Sequence, residues 1–63
     1  MEHHRAELSS IGTAVDELTA RITDVARAYD DTEREDIAIR LYEVERHLRG
    51  AGRALTTAAR SMN

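Results

Sequence analysis

The chain has 63 residues, of which 26 are apolar, but ten of those are alanine, none is Phe or Trp, and the only rings of size are Tyr29 and Tyr42. One thin domain is the most such a chain can build, because large apolar groups must offset roughly 1.5 kcal/mol of conformational entropy per ordered residue. The absence of Cys removes disulfides and thiolate metal sites, and a chain this short has little material for an enclosing substrate pocket of about 300–1,000 Å³, so the sequence points away from enzymes.

The first predicted element is a helix over about residues 3–30. Leu8, Ile11, Val15, Leu18, Ile22, Val25 and Tyr29 are spaced alternately by three and four, the a/d repeat of a heptad that starts with Leu8 at a. A polar cluster follows, Asp30-Asp31-Thr32-Glu33-Arg34-Glu35-Asp36. Within it Thr32-x-x-Glu35 has the form of a capping box, and Glu33, Glu35 and Asp36 suit the positive end of a helix dipole. A turn at about 30–32 and a second helix over about 33–61 are therefore expected.

In that second helix Ile37, Leu41, Val44, Leu48, Ala51, Leu55, Ala58 and Met62 continue the alternation of four and three. A connection of two or three residues forces two such helices antiparallel. The fold class is all-α: an antiparallel αα-hairpin, a single domain over 1–63, with layers Tyr29/Ile37, Val25/Leu41, Ile22/Val44, Leu18/Leu48, Val15/Ala51, Ile11/Leu55 and Leu8/Ala58. Gly50 and Gly52 interrupt neither helix nor heptad, which favours close packing over a weak, bending segment.

One seam leaves both helices largely wet, while Gly12, Ala14, Ala26, Ala28, Ala38, Gly52, Ala54 and Ala59 at e and g widen the apolar stripe without filling it. The economical completion is two hairpins packed as a four-helix bundle, with twofold symmetry favoured; the alternative is a different protein that supplies the missing helices. The oligomer and core seam is thus Leu8, Ile11, Val15, Leu18, Ile22, Val25, Tyr29, Ile37, Leu41, Val44, Leu48 and Leu55.

Chemistry-bearing constellations are sparse. His3 and His4 are adjacent and point about 100° apart on a helix, Glu43 and His47 read as a surface pair at i, i+4, and no Glu-x-x-His, phosphate loop or nucleophile motif occurs. No cofactor and no metal are expected. Glu17/Arg21, Asp36/Arg40 and Glu45/Arg49 read as i, i+4 support worth a few tenths of a kcal/mol each.

One outward strip stands apart. Ile39, Tyr42, Arg46, Arg49, Arg53 and Arg60 fall on f or b of the second helix, and residues 46–63 hold four Arg and no acid, whereas 1–45 hold five Arg and all twelve acids. Ile39 and Tyr42 as apolar anchors, with Arg46, Arg49 and Arg53 taking carboxylates or phosphates, make a partner-docking strip; a solvated face whose cations complement the helix dipole is the plainer reading. The expected function is a non-catalytic protein–protein interaction module, a small helical-bundle dimer acting as adaptor or regulator. The alternative is a transcription or nucleic-acid-associated regulator that uses the basic strip, a use that the net charge of −3 disfavours. No apolar run approaches the ~18 residues of a membrane span, and Met1-Glu2-His3-His4-Arg5 lacks the basic-then-apolar order of a signal peptide, so no membrane and a cytoplasmic location are expected.

Overall fold

The computed structural model describes residues 2–62; residues 1 and 63 of the single domain expected over 1–63 lie outside it. Two helices, α1 over Glu2–Tyr29 and α2 over Glu35–Ser61, pack lengthwise into a hairpin whose Cα trace measures 49 × 14 × 9 Å. The described residues hold no strand.

The turn runs over residues 30–34 and is longer than the polar cluster suggested. Asp31 sits in the left-handed region at φ 59°, where a Cβ crowds the following carbonyl and where Asp is tolerated better than most residues. The Thr32 hydroxyl donates to the Tyr29 carbonyl at 2.6 Å and accepts from the Arg34 N–H at 3.1 Å. It therefore closes the turn and does not cap α2. This corrects the capping box and moves the start of α2 from 33 to 35: Arg34 occupies the N-cap position with no side-chain cap, and its guanidinium instead meets the Asp36 carboxylate at 3.1 and 3.3 Å. Glu35 and Asp36 in the first turn of α2 and Arg60 in its last complement the dipole.

The helix contact keeps the expected a positions and adds a stripe of small residues at e. Ala26 and Ala38 are completely buried and Thr19 is 8% exposed, and all three are e positions. With them, Leu8, Gly12, Val15, Ile22 and Tyr29 of α1, Leu41, Leu48, Gly52, Leu55 and Ala59 of α2 and Met62 just beyond it are half-buried. These are a and e positions; Ile37 at d and Thr23 and Tyr42 at b are half-buried as well. A Cβ placed on Gly52 would lie 3.9 Å from Val15 Cγ1, so Val15 faces Gly52 and not Ala51.

The cause is the size of the e residues. Thr19 and Ala26 on α1 and Ala38 on α2, the buried residues, stand at e, so the line between a and e on each helix points at its neighbour. The d positions stand about 80° from that line at 100° per residue; Ile37 beside the turn stays half-buried with Tyr29, whereas the other large d residues do not. Ile11, Leu18, Val25 and Val44 remain 43%, 49%, 47% and 40% exposed. The layers that paired Val25 with Leu41, Ile22 with Val44, Leu18 with Leu48 and Ile11 with Leu55 are corrected accordingly: one residue of each lies outside the intramolecular seam. Among the described residues no large side chain is fully buried.

Candidate functional site

Two faces of the hairpin differ in chemistry, and the helical sense assigns each residue to one of them. Viewed down α1, residue angles advance clockwise; viewed the same way, antiparallel α2 advances counterclockwise. The d positions of both helices therefore emerge on one side of the contact line and the b positions on the other.

The d side carries Ile11, Leu18 and Val25 of α1 and Ile37, Val44, Ala51 and Ala58 of α2. They interleave along the hairpin as a continuous apolar strip. Four of the five large apolar side chains that remain exposed, Ile11, Leu18, Val25 and Val44, belong to it. Single exposed Leu or Ile residues are ordinary, whereas a row of them along one face marks a surface built for another surface.

The b side is polar and is tied across the helices. The Thr23 hydroxyl is shared between the Thr19 carbonyl, at 3.0 Å, and the Glu45 carboxylate of α2, and Arg49 Nη2 reaches the same Glu45 oxygen at 3.3 Å. The Thr23 hydroxyl, with the Arg49 guanidinium in support, holds the Glu45 carboxyl below the usual glutamate range. At the turn, Tyr42 donates its hydroxyl to Asp30 Oδ2 at 2.6 Å, which raises the phenol above its ordinary value because ionisation would abolish the donated proton and place two anions together.

The residues singled out for docking divide between these roles. Ile39 stands outward and is 65% exposed, in line with Arg46, Arg53 and Arg60 on f. Tyr42 is half-buried and ties α2 to Asp30 of the turn, and Arg49 pairs with Glu45 within α2, so the strip presents Ile39, Arg46 and Arg53 outward. Of the expected i, i+4 pairs, Glu45/Arg49 forms, whereas Asp36 takes Arg34.

A groove of about 500 Å³ lies between the open ends of the helices. Leu8, Gly12, Gly52, Leu55 and Ala59 form its floor, and Arg5, Asp16 and Arg60 are on its rims. It has two walls and opens along its length to solvent, so it supplies a trough for a side chain and not a chamber that excludes water. His3 and His4 pack ring against ring at 4.0 Å, and among the described residues no cluster of three or more His, Cys, Asp or Glu is placed to hold a metal. No described helix is long and apolar enough to cross a membrane.

Comparisons of the chain with family models, with curated proteins and with solved structures give no match. The reading of function therefore rests on the geometry of the two faces. The d face was legible as part of the heptad, but its separation from the intramolecular seam was not. The signal was present in the small e residues, which decide which two of three apolar stripes the partner helix takes.

Proposed function

We propose that the chain is a non-catalytic protein–protein interaction module: two hairpins pack d face to d face into a four-helix bundle, and the assembled dimer acts as an adaptor or regulator through its outer surface. The observation that carries the reading is the row Ile11, Leu18, Val25 and Val44, each 40–49% exposed on one side of a hairpin without a fully buried large side chain. A two-helix layer has no second layer to bury such a face, and domains are built from at least two.

Covering the exposed half of each of the four large side chains contributes about 1 kcal/mol apiece, so eight such groups per dimer offset several kcal/mol of association cost.

Ile39, Arg46 and Arg53 remain outward in such a bundle and give the dimer a surface on which an acidic partner protein would dock. The test compares Leu18→Asp with Ile39→Asp in sedimentation and circular dichroism. The first puts a charge in the middle of the d face and is expected to leave only monomer with reduced helicity; the second lies on the outer strip and is expected to leave mass and helicity unchanged. An unchanged mass in Leu18→Asp would overturn the proposal.

A further inference from the structure

We infer that the groove between the open ends of the helices is a docking site for an acidic amphipathic helix of a partner protein, separate from the dimer face and from the outer strip proposed above. Leu8 and Leu55, with Gly12, Gly52 and Ala59, form a floor that the hairpin itself leaves uncovered. Ser9, Asp16 and Thr56, which border it, are b positions, and no described d residue lines it. The groove therefore opens opposite the d face and is present in the single hairpin as in the dimer.

Its shape selects a rod. The lining runs from Arg5 to Asp16 along α1, about 16 Å or three helical turns at 1.5 Å per residue. Both walls are helices, and the hollow along two packed helices is where a third can lay its apolar stripe. The floor has room for that stripe, because a Cβ placed on Gly12 would meet nothing within 4 Å. An occupant with apolar residues one and two turns apart would cover Leu8 and Leu55, which the chain leaves half-buried.

Charge selects acid. Among the described side chains the lining holds Arg5 and Arg60 toward the open end and Asp16 at the inner end, while Glu7 at g and Glu17 at c are turned away from it. Asp16 also borders an adjoining hollow shared with Arg49 and Arg53, so its charge is set against theirs. Arg49 is taken by Glu45, whereas Arg53 and Arg60 have no ion-pair partner among the described residues. Both stand on f along the α2 rim. Guanidinium groups fork to carboxylates, so a helix with acids beside its apolar stripe finds partners there and a basic helix finds repulsion.

The probe is a blocked peptide of Leu and Glu, with Leu at i, i+3 and i+7, titrated into the isotope-labelled full-length chain and followed by amide resonances. A peptide with Lys in place of Glu is the control. The Glu peptide is expected to shift Gly12, Gly52 and Leu55 saturably, and the Lys peptide to leave them unmoved at the same concentration. Arg60→Gln should weaken the Glu peptide about two- to fivefold, as loss of one exposed ion pair does. Gly12→Leu, which fills the floor, should remove binding while circular dichroism shows helicity retained. Ile39→Asp should bind as the native chain does, since Ile39 lies about 24 Å along α2 from Leu55 at 1.5 Å per residue. Loss of binding in that variant, shifts centred on Leu18 and Val25, an equal response to the Lys peptide, or no response would overturn the site. Contacts between copies at the Leu8 and Leu55 methyls, read by mixing labelled with unlabelled chain, would put a second copy in the groove and overturn it too. The d-face dimer is read separately, from the mass of the chain without peptide.

Discussion

The half of the hairpin next to the turn and the half at its open end are built from the same heptad, yet they are held together differently. Near the turn, Thr19, Ala26 and Ala38 are the buried residues, and Thr23–Glu45 and Tyr42–Asp30 tie one helix or its turn to the other. The open half contains all three glycines, Gly12, Gly50 and Gly52, and a groove of about 500 Å³. The difference teaches that small residues act in two ways in one fold. Alanine at e draws the helices together, while glycine at the same register position removes side-chain contact and costs helix propensity, so stability falls from the turn to the free ends.

The largest expected effect comes from destroying the shared seam. Leu48→Asp puts a charge on the half-buried a stripe and is expected to abolish helicity at every concentration, because the hairpin lacks reserve stability to bury an unpaired carboxylate. Leu18→Asp, at nearly the same height on the d face, differs in kind: its helicity loss is expected to follow loss of the dimer. Far-ultraviolet circular dichroism over a concentration series separates the two, and equal behaviour would erase the distinction between seam and face.

Next in size is the repair of the open half. Added Cβ atoms meet nothing within 4 Å at Gly12, only Arg53 Nη2 at 3.8 Å at Gly50, and Asp16 Oδ1 at 3.6 Å with Val15 Cγ1 at 3.9 Å at Gly52. These are ordinary contacts, so packing does not demand glycine, contrary to the reading favoured from the sequence. Each Gly→Ala change is expected to stabilise by about 1 kcal/mol. Amide hydrogen exchange should show protection rising at the open end until the two halves converge; destabilisation by Gly52→Ala would reveal a closer approach than the structure has.

A smaller effect sharpens the comparison from the turn side through pH. Because the Glu45 carboxyl is held below its ordinary value by Thr23 and Arg49, its contribution is present above the unfolded glutamate value of about 4.3 and is lost as pH falls through its lower folded value. Thermal melts of the native chain should therefore fall more steeply below about pH 4.3 than those of Glu45→Gln. For Tyr42 the sign is opposite: its raised value makes its contribution complete below about pH 10 and lost as pH rises through the folded value. Tyr42→Phe should remove that alkaline loss.

The smallest effect concerns Asp31, at φ 59°. Asp31→Gly relieves the left-handed strain and is expected to raise stability by about 0.5–1 kcal/mol, measured as a higher melting temperature.

Both helices, their antiparallel sense and the approximate place of the turn were legible in the sequence, because period and polar punctuation are local signals. The capping box was not what it seemed: Thr32 has two local acceptors and donors within reach, and the Tyr29 carbonyl and Arg34 N–H win. The a stripe and Ile37 of the expected seam are half-buried, while Ile11, Leu18, Val25 and Val44 are 40–49% exposed: a, d and e are all apolar or small, and the choice among them is made by how closely two backbones approach. That is a tertiary quantity, carried here by the buried Ala26 and Ala38. In the docking strip, the spacing placed Ile39, Arg46 and Arg53 outward, but the engagement of Tyr42 with Asp30 depends on a turn residue that helix periodicity does not address.

The most direct measurement is the mass of the native chain by light scattering over a dilution series, with helicity read on the same samples. The account predicts a helical dimer near twice 7.1 kDa that dissociates and loses helicity together as it is diluted. A helical monomer whose mass and helicity are both unchanged across the series would contradict it, for then the hairpin would stand alone with its row of apolar side chains in water.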